Sequence, residues 1–312
     1  MQRKGGFFYG FFLISLLVAL GFSAYYLYQF WPREPVNLHA VSNESNVVVQ
    51  NDLPSKQFYQ RMRYQDRIIS YSISDSCATE RVSAMKRAFS NIESLTVLKF
   101  EPVLHGDPML HVLCSNLAPE AGHEDYFVAG EGGPSRVLNS TLYSIILEGK
   151  IALYRDDTCE GGKVATHELL HALGFDHNNN PRSILYPTLK CDQEIDSEII
   201  QSINKLYLQD NLPDLFFFST AATKSGRYLN FNVEVLNQGL RESAVSDVKV
   251  YADNELAGKF DIGSVGVGAR KILNVENLKI PLDASTIVFI VDEDNKVIEL
   301  FENNNQATLR LV

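Results

Sequence analysis

The stretch His167-Glu168-Leu169-Leu170-His171-Ala172-Leu173-Gly174-Phe175-Asp176-His177 restricts this chain more than any other part of it. Residues four apart on a helix share a face, so His167 and His171 can offer their imidazoles to one ion. Glu168 lies beside them, placed to polarise a metal-bound water rather than to bind the metal. Gly174 can take a left-handed conformation, end the helix and let the chain double back to present His177. Three neutral nitrogens and one open position describe a catalytic zinc site rather than a closed structural one. Ala165, Leu169, Ala172 and Leu173 form an apolar stripe along the same helix, and the two histidines and Glu168 fall off it, toward a cleft.

The chain has 312 residues, enough for two globular domains with their own cores. Its formal net charge of -10 argues against a nucleic-acid partner, whose phosphates it would repel. From Gly5 to Pro32 no residue is charged, and aromatic side chains cluster at both ends of the run. That length suits a bilayer-spanning helix, and Arg3 and Lys4 before it place the N-terminus in the cytoplasm. A cleaved signal peptide is the competing reading, disfavoured by the length of the run and the bulky Phe22-Ser23-Ala24. Residues 1–32 are therefore expected to be a transmembrane anchor and residues 33–57 a stalk without periodicity.

Residues 58–210 read as an α+β domain with a mixed sheet. Arg67–Ser74, Leu95–Phe100 and Met109–Cys114 have strand character, and Thr79–Ile92 has helical spacing. After a glycine-rich passage, Gly130 to Pro134, the segments Tyr143–Leu147 and Lys150–Tyr154 suggest a hairpin around Glu148-Gly149. The histidine helix follows, then Ser183–Pro187 and a last helix over Ser197–Leu208. Four cysteines, Cys77, Cys114, Cys159 and Cys191, in a chain that leaves the cytoplasm point to two disulfides. Three pairings exist, and four buried thiols are the alternative. The favoured bridges, Cys77–Cys114 and Cys159–Cys191, each close a loop of moderate length.

The pattern His167-Glu168-x-x-His171-x-x-Gly174-x-x-His177 resembles the long zinc signature of the metzincin metalloproteases. The order of elements resembles the matrixin branch. Members of the family place a Ser-x-Met-Tyr-Pro turn after the third histidine, and this chain has Ser183-Ile184-Leu185-Tyr186-Pro187. The resemblance implies a zincin-like catalytic domain with His167, His171 and His177 holding Zn2+, Glu168 as base and Leu185, Tyr186 and Pro187 as the floor of the site. Leucine for methionine is a mild, volume-conserving change. The upstream histidines His105, His111 and His123 do not reproduce the spacing of the family's second zinc site and read as surface residues.

Residues 214–312 contain short strand candidates at regular intervals: Leu215–Ala221, Tyr228–Leu236, Val248–Tyr251, Arg270–Val275 and Thr286–Val291. These suggest an all-β immunoglobulin-like sandwich. Asn237-Gln238-Gly239, Val248-x-Val250-Tyr251 and the run from Asp292 to Asn305 resemble the CARDB module, an adhesion-related family of microbial surface proteins. Asp292, Asp294 and Asn295 offer hard oxygen ligands for Ca2+, although a turn uses the same residues.

The expectation is a membrane-anchored, extracytoplasmic zinc endopeptidase acting on protein or peptide substrates, with a sandwich that can bind a surface partner. An inactive protease-like adhesion protein is the alternative, favoured by Leu185 and opposed by the retained Glu168. Glu194 as a ligand in place of His177 is a weaker one.

Overall fold

A computed structural model describes residues 6–31, 33–40, 53–103, 106–120 and 127–311. Helix α1 (Gly6–Phe30) is apolar all round. Within it, Tyr9–Phe30 has a mean hydropathy of 1.9 and is exposed along nearly all its length. By length and composition it can cross a membrane.

The next element falls within the expected stalk. Strand β1 (Val36–Ala40) joins the C-terminal sandwich instead of standing free. It is short and turns only Leu38 into the core, so it carries no readable alternation.

The α/β domain follows. Its sheet contains β2 (Met62–Tyr64), β3 (Ile68–Ile73), β4 (Lys99–Pro102), β5 (Leu110–Cys114), β6 (Gly130–Asn139) and β7 (Ser144–Leu153). The order is β2-β7-β5-β3-β4, all parallel pairs, and β6 runs antiparallel along the other side of β7. Helix α2 (Thr79–Leu95) buries Ala84, Met85, Ala88, Phe89 and Ile92, and helix α3 (Lys163–Ala172) packs beside it. Helix α4 (Ser197–Tyr207) closes the core with Ile199, Ile203 and Leu206.

The hairpin expected around Glu148-Gly149 is absent: β7 runs straight through both residues and pairs with β6. Gly149 is needed for room rather than for a turn. A Cβ there would lie 2.1 Å from the hydroxyl of the buried Tyr64. The reversal lies earlier, where Ser140 Oγ accepts the N–H of Tyr143 at 3.1 Å.

The C-terminal domain packs two sheets face to face. One has β8 (Leu215–Ser225), β9 (Tyr228–Asn237) and β12 (Arg270–Lys279); the other has β10 (Ser246–Ala252), β11 (Glu255–Gly263), β13 (Thr286–Val291) and β14 (Gln306–Arg310). Strand β1 bridges them. Val36–Leu38 pair with Lys224–Ala222 of β8, then His39 and Ala40 pair with Arg310 and Leu309 of β14. Alternating residues such as Leu229, Phe231, Val233 and Val235 fill the space between the sheets against Phe289 and Val250. The α/β domain is thus inserted, in sequence, between the first and second strands of the sandwich.

The two domains share a third, smaller core: Leu142, Tyr143 and Ile145 from one and Leu240 from the other. Ser140 Oγ donates to Gln238 O at 3.0 Å across the same junction.

The Asp292 turn is held by its own backbone and side chains. Asp292 and Asn295 both have positive φ, the N–H of Val297 donates to Asp292 Oδ2 at 2.7 Å, and Asp294 pairs with Lys249 and Lys296. Its side chains serve the turn and an ion-pair network. His105 and His123 lie outside the described residues. His111 sits half-buried on β5, 3.9 Å from Glu148.

Candidate metal centre

Helix α3 starts at Gly162 (φ 74°), where a Cβ would meet the Ala84 carbonyl oxygen at 2.6 Å. Asp157 caps the helix: its Oδ2 accepts the N–H of Val164 at 2.9 Å and its Oδ1 that of Cys159 at 2.9 Å. The far end is closed by Gly174 (φ 95°), whose N–H donates to His171 O at 2.9 Å, followed by Phe175 N–H to Leu170 O at 3.1 Å. A side chain at Gly174 would run into Met62, 2.5 Å away. The chain turns there and brings His177 back over the helix.

Three Nε2 atoms converge. His167 and His171 are 3.0 Å apart, His171 and His177 3.2 Å, and His177 and His167 3.3 Å. The Nδ1–H of His171 donates to Phe175 O at 2.7 Å and that of His167 to Ile184 O. Since a carbonyl only accepts, each of these Nε2 atoms keeps a lone pair aimed at the common point. Burial lowers the pKa of all three, that of His167 to about 4 with His171 adding to the effect, so they stand neutral at pH 7. The two lone pairs so fixed, with the neutral His177 ring beside them, repel one another unless a cation lies between them.

Tetrahedral zinc at its usual Zn–N distance sets neighbouring nitrogens about 3.3–3.4 Å apart, close to what is found. The donor set fits zinc. Among the described residues this is the one group of histidine, cysteine and carboxylate side chains that could hold a metal ion; Glu194 is not in it.

Glu168 lies on the same helix, 6 % exposed. Burial, with Glu131 adding to it, pushes its carboxyl up to about 8, against the pull of the Gly132 N–H. A cation at the imidazole centre acts in the opposite direction and favours the carboxylate. Glu131 in turn accepts the hydroxyl of Tyr154 at 2.7 Å. The glycines of β6 make the approach feasible: a Cβ on Gly130 would be 2.8 Å from Glu168 Cγ, and one on Gly132 2.1 Å from Glu168 O. In the sequence these glycines mark only a turn-rich passage; their need is set by a helix that crosses them from far along the chain.

The Ser183–Pro187 turn closes the other side. Ser183 Oγ accepts the N–H of Leu185 at 3.0 Å and the amide of Asn178 at 2.8 Å, and Leu185 O accepts the N–H of Asn178 at 3.0 Å. The turn is thereby tied to the residue after His177. Leu185 is buried in the main core, Tyr186 is half-buried and Pro187 reaches the cleft. The disulfide Cys159–Cys191 links the loop before α3 to the loop after this turn, and Cys77–Cys114 joins the start of α2 to the end of β5. An open cleft of about 1000 Å³ runs past the three histidines and Glu168, with Phe58, Gly130, Gly132 and Leu189 on its walls. A neutral imidazole set, a carboxyl beside it and room for an extended chain suit hydrolysis of a polymer backbone.

The family model for matrixins matches residues 63–208, and that for CARDB matches residues 212–309. The chain carries a matrixin domain followed by a CARDB domain. The matrixin domain is similar to macrophage metalloelastase of Rattus norvegicus, 28% identical over 165 residues, which is 47% of this chain and 34% of that protein. The chain therefore spans about a third of that relative's length. The CARDB domain is similar to that of the PF1109 protein of Pyrococcus furiosus, known from a crystal structure in complex with di-metal ions and from a solution structure. Both are 26% identical with a TM-score of 0.26, cover 32% of this chain, and are themselves covered by 89% and 95%.

Proposed function

We propose that the chain is a membrane-anchored zinc endopeptidase whose matrixin domain cleaves polypeptides outside the cytoplasm. The observation that carries the reading is the convergence of His167, His171 and His177 beside Glu168 at an open cleft. Zinc bound there supplies Lewis acidity and a water that is acidic near neutral pH. The three imidazoles hold the ion as neutral donors, and the carbonyls of Ile184 and Phe175 fix the orientation of two of them. Glu168 accepts the proton of the attacking water and passes it to the leaving amine. Glycines 130 and 132 let the edge strand β6 lie against the base, and that strand offers backbone groups along the cleft. Anchoring rests on the length and apolar character of α1. The positive residues Arg3 and Lys4 set its orientation with the N-terminus in the cytoplasm. The CARDB domain has the role of a spacer or of a module that binds a surface partner.

The test uses the full chain. Glu168→Gln should retain one zinc per chain and lose peptide cleavage, whereas His171→Ala should lose both. Undiminished cleavage by Glu168→Gln sinks the role given to Glu168, and wild-type protein without stoichiometric zinc sinks the whole reading.

A further inference from the structure

The sandwich is seated directly on the end of α1. The tip of the β8–β9 hairpin meets the chain as it leaves the helix: Ser225 Oγ donates to Arg33 O at 2.6 Å, and Gly226 lies against Trp31 O and the Arg33 side chain. The guanidinium of Arg227 sits 5.3 Å from the ring centre of Phe30, Lys279 Nζ 5.9 Å from the same ring, and Arg33 5.4 Å from that of Tyr28. Three cations from three separate segments therefore ring the last turn of the helix.

Their depth follows from helix geometry. The 25 residues of α1 span about 37 Å at 1.5 Å each, more than the ~30 Å of a hydrocarbon core. Phe30 and Trp31 then fall at the headgroup boundary, the level that the amphipathic ring of Trp31 favours, and Arg33, Arg227 and Lys279 lie at the level of the lipid phosphates. Among the described residues, no ion pair is formed by these three cations. Arg227 Nε is buried without an acceptor, and Gln29 Oε1, on the last turn of α1, is buried without a donor. Glu34 is the acid next in sequence to Arg33. Lys224 is not part of the ring: its ammonium is turned inward to Leu282 O at 2.8 Å and Ala284 O at 2.7 Å, with Asp253 and Asp283 as neighbours.

From this arrangement we infer that Arg33, Arg227 and Lys279 form a binding site for the phosphate of anionic phospholipid headgroups in the leaflet from which α1 emerges. The CARDB domain is in this way held flush on the membrane rather than swinging on a stalk. The inference rests on α1 lying in a bilayer, as proposed above. A juxtamembrane cation is worth about fivefold in affinity for an anionic surface, and the effect is screened by salt.

The full chain is placed in nanodiscs of phosphatidylcholine alone or with about one third phosphatidylglycerol, and amide hydrogen exchange is followed at residues 225–228 and 277–280. Slower exchange in the anionic discs, lost in 0.5 M salt and in the Arg227→Gln/Lys279→Gln double variant but kept in Arg227→Lys, is the expected result. Equal exchange in both discs overturns the site. Protection produced in neutral discs by millimolar inorganic phosphate assigns the cations to a soluble anion instead and overturns the lipid assignment. If the chain washes out of both discs in alkaline carbonate, the anchor itself is refuted; retention in the discs with equal exchange refutes the headgroup site alone.

Discussion

Gly132 lies so close to the metal-site helix that a Cβ built on it would stand 2.1 Å from the carbonyl oxygen of Glu168 and 2.7 Å from its carbonyl carbon. Both are backbone atoms, so no rotamer change relieves the clash. Gly132→Ala should force β6 and α3 apart. Misplacing a catalytic group by about 1 Å costs on the order of 100-fold in rate, and that loss in kcat/KM with zinc still bound is the expected outcome. A variant that cleaves at the wild-type rate would show that the two backbones are not held at this distance.

Leu185 occupies the buried position of the turn whose carbonyl neighbours orient His167 and hold Asn178. Leu185→Met conserves volume and should change stability by less than about 1.5 kcal/mol. Zinc content and cleavage rate should stay close to wild type. A gain of several orders of magnitude in cleavage would instead mean that leucine disables this site.

The Cys159–Cys191 bridge closes a loop with a sequence separation of 32 and joins two walls of the cleft. Replacing both cysteines with serine should lower the stability of the matrixin domain by about 3–4 kcal/mol on the chain-entropy account. Thermal unfolding of the oxidised protein, compared with the double variant, reads the difference. The CARDB transition, which contains no cysteine, should not move.

In the CARDB domain Glu299 and Asp214 are buried together, and Leu215 N–H and Asn305 donate to the former while Gln238 and Asn304 donate to the latter. Burial pushes Glu299 up to about 8, with Asp214 and Glu302 adding to it, and Asp214 up to about 6. A carboxyl whose folded pKa exceeds its unfolded one binds its proton more tightly in the folded state. Its stabilisation is complete below the unfolded pKa and is lost as pH rises through the folded value. Sandwich stability should therefore fall between about pH 5 and pH 8 by at least ~1 kcal/mol, about 4–8 °C in the unfolding midpoint. Glu299→Gln should flatten that slope; an unchanged slope would assign the pH dependence elsewhere.

The histidine site was legible because its ligands come from one helix and the loop behind it, where spacing fixes geometry. The two helices flanking it and five of the sandwich strands were legible for the same local reason. What escaped was set by distant partners. Gly149 reads as a turn residue but exists for the Tyr64 hydroxyl, and Gly130 and Gly132 read as loop but exist for Glu168. Strand β1 shows one inward residue, Leu38, and becomes a strand only because β8 and β14 arrive on either side of it. Strands β11 and β14 also went unread; β14 is short, and much of β11 is exposed at the end of its sheet.

The position of β1 also sets an order for assembly. Leu38 pairs with Ala222 and Ala40 with Leu309, so the first strand of the sandwich is made before the matrixin domain and its partners after it. At roughly 5–20 residues per second, β1 waits about 10–40 s for β8. A matrixin domain that has already folded in the interval shortens the effective loop that must close. Closure of the sandwich around β1 therefore follows synthesis of the whole matrixin domain.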